Sequence, residues 1–256
     1  MIVLHDNNAP TVHVSDNVAE AAGELLAAAI ERTARRSGRC RIGLSGGSTP
    51  GPIYAWLAQH LPRRLYAQLW VTWCDERVLP CAPQRAGDWQ AFDPESNLWL
   101  AYHNWLAHVP FDPDHALPMA LTTDAKAEVL RFGRAFQSTY QGAIDVALLG
   151  VGPDGHVASL FAGHPALAVD DLCLAVHDSP KPPLERITLA LPVLNQARVV
   201  VVAAQGEAKA AMLADAYYGT GQGGTLPVAH IHGGGDLHWV LDRAAARHII
   251  ERSMGN

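Results

Sequence analysis

The stretch DVALLGVGPDGHVASLFAGHP, residues 145–165, sets an aspartate and a histidine, Asp154 and His156, in one Gly-rich turn. Histidine titrates near neutral pH and is the usual general base, and a carboxylate beside it can fix its tautomer. The same turn satisfies G-x-G-x-x-G, the pattern of a dinucleotide-binding loop, and Asp170 and Asp171 follow at about the spacing of a ribose-binding carboxylate. Three features oppose that reading. Both aspartates precede the next apolar run, LCLAV, and so belong to its amino end; the turn falls past the middle of the chain; and Pro153 removes a backbone donor. The glycines are read instead as presenting Asp154 and His156 at the end of a strand.

Three further clusters also follow apolar, strand-like runs. In LSGGSTPG, residues 44–51, Gly46 and Gly47 allow a sharp turn, Ser45, Ser48 and Thr49 offer hydroxyls, and Pro50 suits the first helical position. Backbone amides and a helix N-terminus converging there would form an anion cradle. No Gly-Lys-Ser/Thr follows, so it is not a Walker A loop, and an ordinary capped turn is the bland alternative. In WCDERVLP, residues 73–80, Asp75, Glu76 and Arg77 sit at a strand exit, where Arg77 could meet an oxyanion or a phosphate while the carboxylates position it or exchange protons. In GEAKAAML, Lys209 stands near a helix start, which opposes the helix dipole and so favours an anion partner. Arg186, after the Pro-rich DSPKPPLER loop, is a second candidate anion clamp. His230 and His232 lack a partner pair of carboxylates or cysteines, and no metal is assigned.

The elements that must position these residues are legible as periodic runs. Helical spacing covers residues 15–36, 50–61, 95–108, 124–141, 207–218 and 242–252; in the third of these Leu98, Trp99, Tyr102, Trp105 and Leu106 read as core. Strand-length apolar runs cover 40–44, 69–73, 144–149, 172–176, 187–191, 199–204 and 237–241. Several lack alternation, as strands covered on both faces do. The alternation of the two kinds predicts an α/β fold, Rossmann-like, with a mostly parallel sheet and helices on both faces. In such sheets ligands bind beyond the carboxyl ends of the strands, where all four clusters fall.

With 256 residues, 49% of them hydrophobic, and no linker, the whole chain from residue 1 to 256 reads as a single domain. A net charge of -6 opposes a nucleic-acid surface, so an anionic ligand needs a local cluster of donors. No apolar run reaches the ~18–20 residues of a membrane span, and MIVLHDNNAP lacks a basic n-region, which together predict a cytoplasmic protein without a membrane partner. Cys40, Cys74, Cys81 and Cys173 are scattered and read as reduced thiols. Monomer and dimer both remain open.

Taken in order, LSGGSTP, CDERVLP, ESNLWL, LLGVGPDGHVASLFAGHP, SPKPPLERITL and GEAKAAML closely resemble the 6-phosphogluconolactonase family, from about residue 42 to residue 246. The resemblance implies hydrolysis of 6-phospho-D-glucono-1,5-lactone to 6-phosphogluconate in the oxidative pentose phosphate pathway, without cofactor or metal. It further implies that His156 activates water, that Arg77 stabilises the charge forming on the lactone oxygen, and that Asp75 and Asp154 shape the pocket. The phosphate would lie at Ser45, Gly46, Gly47, Ser48 and Thr49, supported by Lys209 and Arg186. Ser159, near His156, carries no nucleophile-elbow signature. The related glucosamine-6-phosphate deaminases carry an aromatic residue where Arg77 stands and a glutamate where Phe161 stands, so both positions favour the lactonase. A sugar-phosphate sensor would need a DNA-binding segment, and only ~15 residues precede the first helix.

Overall fold

The computed structural model of the chain describes residues 2–4, 10–79 and 92–254. Pro80 of the WCDERVLP motif and Cys81 lie outside the described residues. In chain order the elements are β1 (Ile2–Leu4), β2 (Thr11–Val14), α1 (Val18–Ser37), β3 (Cys40–Leu44), α2 (Pro50–His60), β4 (Leu69–Trp73), β5 (Asp75–Arg77), α3 (Asn97–Asn104), β6 (Ala116–Leu117), α4 (Ala125–Tyr140), β7 (Val146–Gly150), β8 (Cys173–Val176), β9 (Arg186–Leu189), α5 (Leu191–Gln196), β10 (Val199–Ala204), α6 (Ala210–Tyr218), β11 (Asp236–Leu241) and α7 (Arg247–Met254).

Eight strands form one sheet in the order β1-β2-β11-β10-β7-β3-β4-β6, parallel throughout except for the β1–β2 pair. The buried runs on β3, β4, β7 and β10 supply its centre, with Ile42, Val71, Val146 and Val200 wholly inaccessible. From β3 the chain adds β4 on one side, then returns to place β7 on the other and continues outward through β10 and β11. The order therefore reverses between β3 and β7, and a crevice opens beyond their carboxyl ends. This is the mostly parallel Rossmann-like sheet that the alternation of runs predicts.

Local chemistry explains the helix ends. Asn17 caps α1 by accepting the Glu20 amide at 3.2 Å, so the helix starts at Val18 rather than Ser15, and Gly38 closes it in the left-handed region at φ 74°. Its apolar stripe, including Leu26, Ala29 and Ile30, is buried, and α1 lies against β3, β7, β10 and β11 as well as α2. The periodic segment 95–108 is not one helix. Trp105 leaves helical geometry (φ -140°, ψ -69°) to bury its indole, whose Nε1 donates to the Tyr66 hydroxyl at 3.1 Å, and Leu106–His108 follow as a 3-10 turn. Leu98 and Leu106 are buried with it, whereas Trp99 and Tyr102 are only half-buried. A 3-10 turn at Glu207–Lys209 likewise precedes α6, and α7 begins at Arg247 rather than near residue 242.

Two apolar runs do not join the large sheet. Residues 172–176 and 187–191 contribute β8 and β9, which pair antiparallel with each other, and β9 pairs antiparallel with β5. The cause lies in Cys74, whose carbonyl accepts the Leu189 amide at 2.8 Å, so the chain leaving β4 is captured by β9. Asp170 and Asp171, both exposed, thus precede a strand of the small sheet, not one of the parallel sheet. Cys40, Cys74 and Cys173 are free thiols, and burial raises the pKa of each. Among the described residues no helix is long and apolar enough to cross a membrane.

Candidate active site

The reversal of strand order brings two turns face to face. Ser45 to Thr49 leaves β3, and Val151 to His156 leaves β7. Between them lies a cavity of 170 Å³ whose wall is completed by Asp75 and Arg77 of β5, Arg186 of β9, Asn97 of α3 and Lys209 after β10. Of the residues singled out from the sequence, Ser45, Gly46, Gly47, Ser48, Thr49, Asp75, Arg77, His156, Arg186 and Lys209 all line it. Asp154 does not, and it stands behind the histidine.

At one end the groups suit an anion. Pro50 opens α2 and Thr49, at the N-cap, makes no side-chain cap bond, which leaves the dipole of an 11-residue helix uncapped by that hydroxyl. Lys209 reaches the same space while its Nζ donates to the Val151 carbonyl at 2.5 Å. Burial lowers the pKa of Lys209, and Lys181 adds to the effect. Arg186 is also buried, its guanidinium donating to the carbonyls of Lys181, Pro182 and Pro183 and standing 3.8 Å from Asp75 Oδ2. It is not the surface arginine that its place after a loop allowed.

Across the cavity His156 has Nδ1 2.5 Å from Asp154 Oδ1. Burial lowers the imidazole pKa below 6.5, and the bond to Asp154 opposes this without reversing it. The shift favours the neutral ring, and with Nδ1 donating its proton to Asp154 the lone pair falls on Nε2. Lys181 Nζ donates to the same oxygen, Asp154 Oδ1, at 3.4 Å. Phe161 packs against the imidazole with ring centroids 4.9 Å apart. The segment after His156 is a turn closed by a bridge between Val157 and Leu160.

The acidic side chains of β5 divide their work. Alternation along the strand puts Asp75 and Arg77 on the cavity side and turns Glu76 away. Asp75 is buried, accepting Ser159 Oγ at 2.7 Å and Asn97 Nδ2 at 3.0 Å. Glu76, also buried, accepts the amides of Arg77, Asn97 and Leu98, each at 2.8 Å. Burial pushes its carboxyl up to about 7, with those three amides pulling the other way. Arg77 donates through Nη1 to the Glu95 carbonyl, and its Nε has no hydrogen-bond partner among the described residues.

Sequence reasoning gave no role to Asn97, Lys181 or the Ser159 hydroxyl. Asn97 had one visible signal: it follows Ser96, a capping residue, at a helix start. His230 ends a 3-10 turn, and among the described residues no group of three or more His, Cys, Asp or Glu side chains is placed to hold a metal.

A glycine-rich turn at a helix N-terminus and a histidine oriented by a carboxylate line one cavity at the reversal point of a parallel sheet, the arrangement of a Rossmann-like α/β enzyme. The family model described as "Glucosamine-6-phosphate isomerases/6-phosphogluconolactonase" matches residues 13–239, and the chain belongs to this family. The 6-phosphogluconolactonase of Rattus norvegicus is 39% identical over 226 residues, covering 82% of this chain and 80% of the relative. That of Streptomyces coelicolor is 35% identical over 247 residues, covering 91% and 90%. The solved structure of the 6-phosphogluconolactonase from Trypanosoma cruzi superposes with a TM-score of 0.81 at 25% identity, covering 96% of this chain and 98% of that one.

Proposed function

We propose that this chain hydrolyses 6-phospho-D-glucono-1,5-lactone to 6-phospho-D-gluconate, the ring-opening step of the oxidative pentose phosphate pathway. The observation that carries the reading is the neutral His156, held by Asp154 through Nδ1, in one cavity with the 45–49 cradle and Lys209. Its curated relatives, which bear the name of this activity, support it.

The geometry suits water attack without an acyl-enzyme. Nε2 of His156 accepts a proton as the water oxygen bonds to the lactone carbonyl carbon, and the carbonyl electrons become an oxyanion facing Arg77. Collapse breaks the bond from that carbon to the ring oxygen, and the imidazolium returns its proton to the leaving oxygen. The phosphate, bound by the cradle, Lys209 and Arg186, contributes binding energy that orients the ring. Asp75 acts through its neighbours and Asp154 through His156. Ser159 is engaged by Asp75. The same reading takes the chain as a cytoplasmic single domain acting on a phosphorylated sugar lactone.

Phe161 weighs against a deaminase, because the position beside His156 where that chemistry wants a carboxylate holds a buried ring. In a pH-stat assay the protein accelerates acid release from 6-phosphogluconolactone, and His156→Ala loses most of that rate while still binding 6-phosphogluconate. Ammonia release from glucosamine 6-phosphate, or equal lactonase rates for the two proteins, would overturn the proposal.

A further inference from the structure

Three backbone amides converge on one carboxylate that does not line the cavity. Glu76 Oε1 accepts the amides of Arg77 and Asn97, and Oε2 accepts that of Leu98. The exchange is reciprocal, since the Asn97 side chain returns Nδ2 to the Asp75 carbonyl at 2.9 Å and to its carboxylate at 3.0 Å. These bonds clasp β5 to the start of α3. Both elements need such support: β5 has three residues, and α3, at eight, is far shorter than a helix that stands alone in water. Ser96 Oγ caps only the Trp99 amide, so the first two amides of α3 depend on Glu76.

We propose that Glu76 is a positioning residue of the active site: its clasp on the amides of Arg77, Asn97 and Leu98 sets the guanidinium of Arg77 and the amide of Asn97 in the cavity wall. Arg77 is held from both directions, by its own amide on Glu76 and by Nη1 on the Glu95 carbonyl just ahead of α3. If α3 moves relative to β5, Arg77 moves relative to His156, and a displacement of about 1 Å at a reacting centre costs about 100-fold in rate. The inference rests on the lactonase reading for its kinetic readout alone.

The test compares the full chain with Glu76→Gln and Ser96→Ala. Glutamine keeps the size of the side chain but places an NH2 against the amides, while Ser96→Ala weakens α3 and leaves the clasp in place. Glu76→Gln should lower kcat about 100-fold with a much smaller change in KM and in 6-phosphogluconate binding measured by calorimetry, because Lys209 and Arg186 are held by other partners. Ser96→Ala should lower Tm and keep the wild-type kcat. If Glu76→Gln does not fold, Glu76→Asp, which keeps the charge and shortens the reach, should lower kcat about 10-fold. Wild-type kcat in either folded Glu76 variant, or an equal loss in Ser96→Ala, would overturn the proposal. A wild-type protein inactive on the lactone removes the lactonase reading and not the clasp. Amide exchange then decides: faster exchange at Arg77 and Asn97 in Glu76→Gln supports the clasp, and unchanged exchange overturns it.

Discussion

Asp154 Oδ1 lies 2.5 Å from His156 Nδ1, yet only the histidine enters the cavity. The carboxylate therefore acts on the tautomer and titration of the ring. Burial lowers the His156 pKa from its usual value, so the acid limb of the lactonase pH–rate profile, where Nε2 takes up a proton, lies at more acid pH than an ordinary imidazole would give. Asp154 pulls that pKa upward. Asp154→Asn accordingly moves the acid limb to still lower pH while reducing kcat about 100-fold through loss of the oriented tautomer. A pH–rate profile of both proteins checks this, and a limb that moves towards neutral pH contradicts it.

Two glycines of the site are fixed by what faces them. A Cβ on Gly152 would stand 2.1 Å from the His156 ring and 2.5 Å from Asp154 Oδ1, and one on Gly46 would stand 1.7 Å from Asn97 Oδ1. Gly152→Ala must displace the imidazole or the turn, so kcat falls by about 100-fold or more with a folded protein by circular dichroism. Gly46→Ala pushes on Asn97, whose amide is buried and anchored on Asp75, and overpacking of this kind costs about 1–3 kcal/mol in thermal or urea unfolding. Wild-type behaviour of both variants would mean that the turns yield freely.

Ser159 Oγ donates to Asp75 Oδ2 at 2.7 Å, and both residues are buried. Ser159→Ala leaves that carboxylate short of one donor and lowers stability by about 1–3 kcal/mol. Turnover persists, because the hydroxyl supports Asp75 and attacks nothing. Stopped-flow mixing with lactone shows no acyl-enzyme burst in either protein; abolished turnover in a stable Ser159→Ala would give the serine the nucleophile's part.

Residues close to strand ends in sequence were legible because the parallel sheet gathers strand ends: Ser48, Arg77, His156 and Lys209 each follow β3, β4, β7 or β10 by a few residues. What could not be read was set by pairing at a distance. The runs around Cys173 and Ile187 look like any buried strand, and only the capture of Cys74 by β9 decides that they leave the parallel sheet. That choice carries Arg186 into the cavity from 109 positions beyond Arg77, its register partner on β5. Asn97 and Glu76 escaped for the same reason, since a clasp between a strand and a helix 20 residues on has no periodic signature. The two-residue spacing of Asp154 and His156 says that they meet, but not which of them faces the cavity.

Lys209 offers the sharpest test of the phosphate end. Its ammonium is half-buried, donates to the Val151 carbonyl and faces the turn that follows β3. A charge-assisted hydrogen bond is worth about 1.5–3 kcal/mol, so Lys209→Met raises KM, and weakens inhibition by inorganic phosphate, by about 10- to 100-fold. Lys209→Arg, which keeps the charge, recovers part of the loss. Burial holds the pKa of Lys209 below its usual 10.5, with the Asp242 carboxylate opposing. The wild-type KM therefore climbs at a less alkaline pH than an ordinary lysine would give, as the ammonium loses its proton, and in Lys209→Met this climb is absent. A Lys209→Met protein with the wild-type KM and the wild-type alkaline limb would move the phosphate away from this end of the cavity.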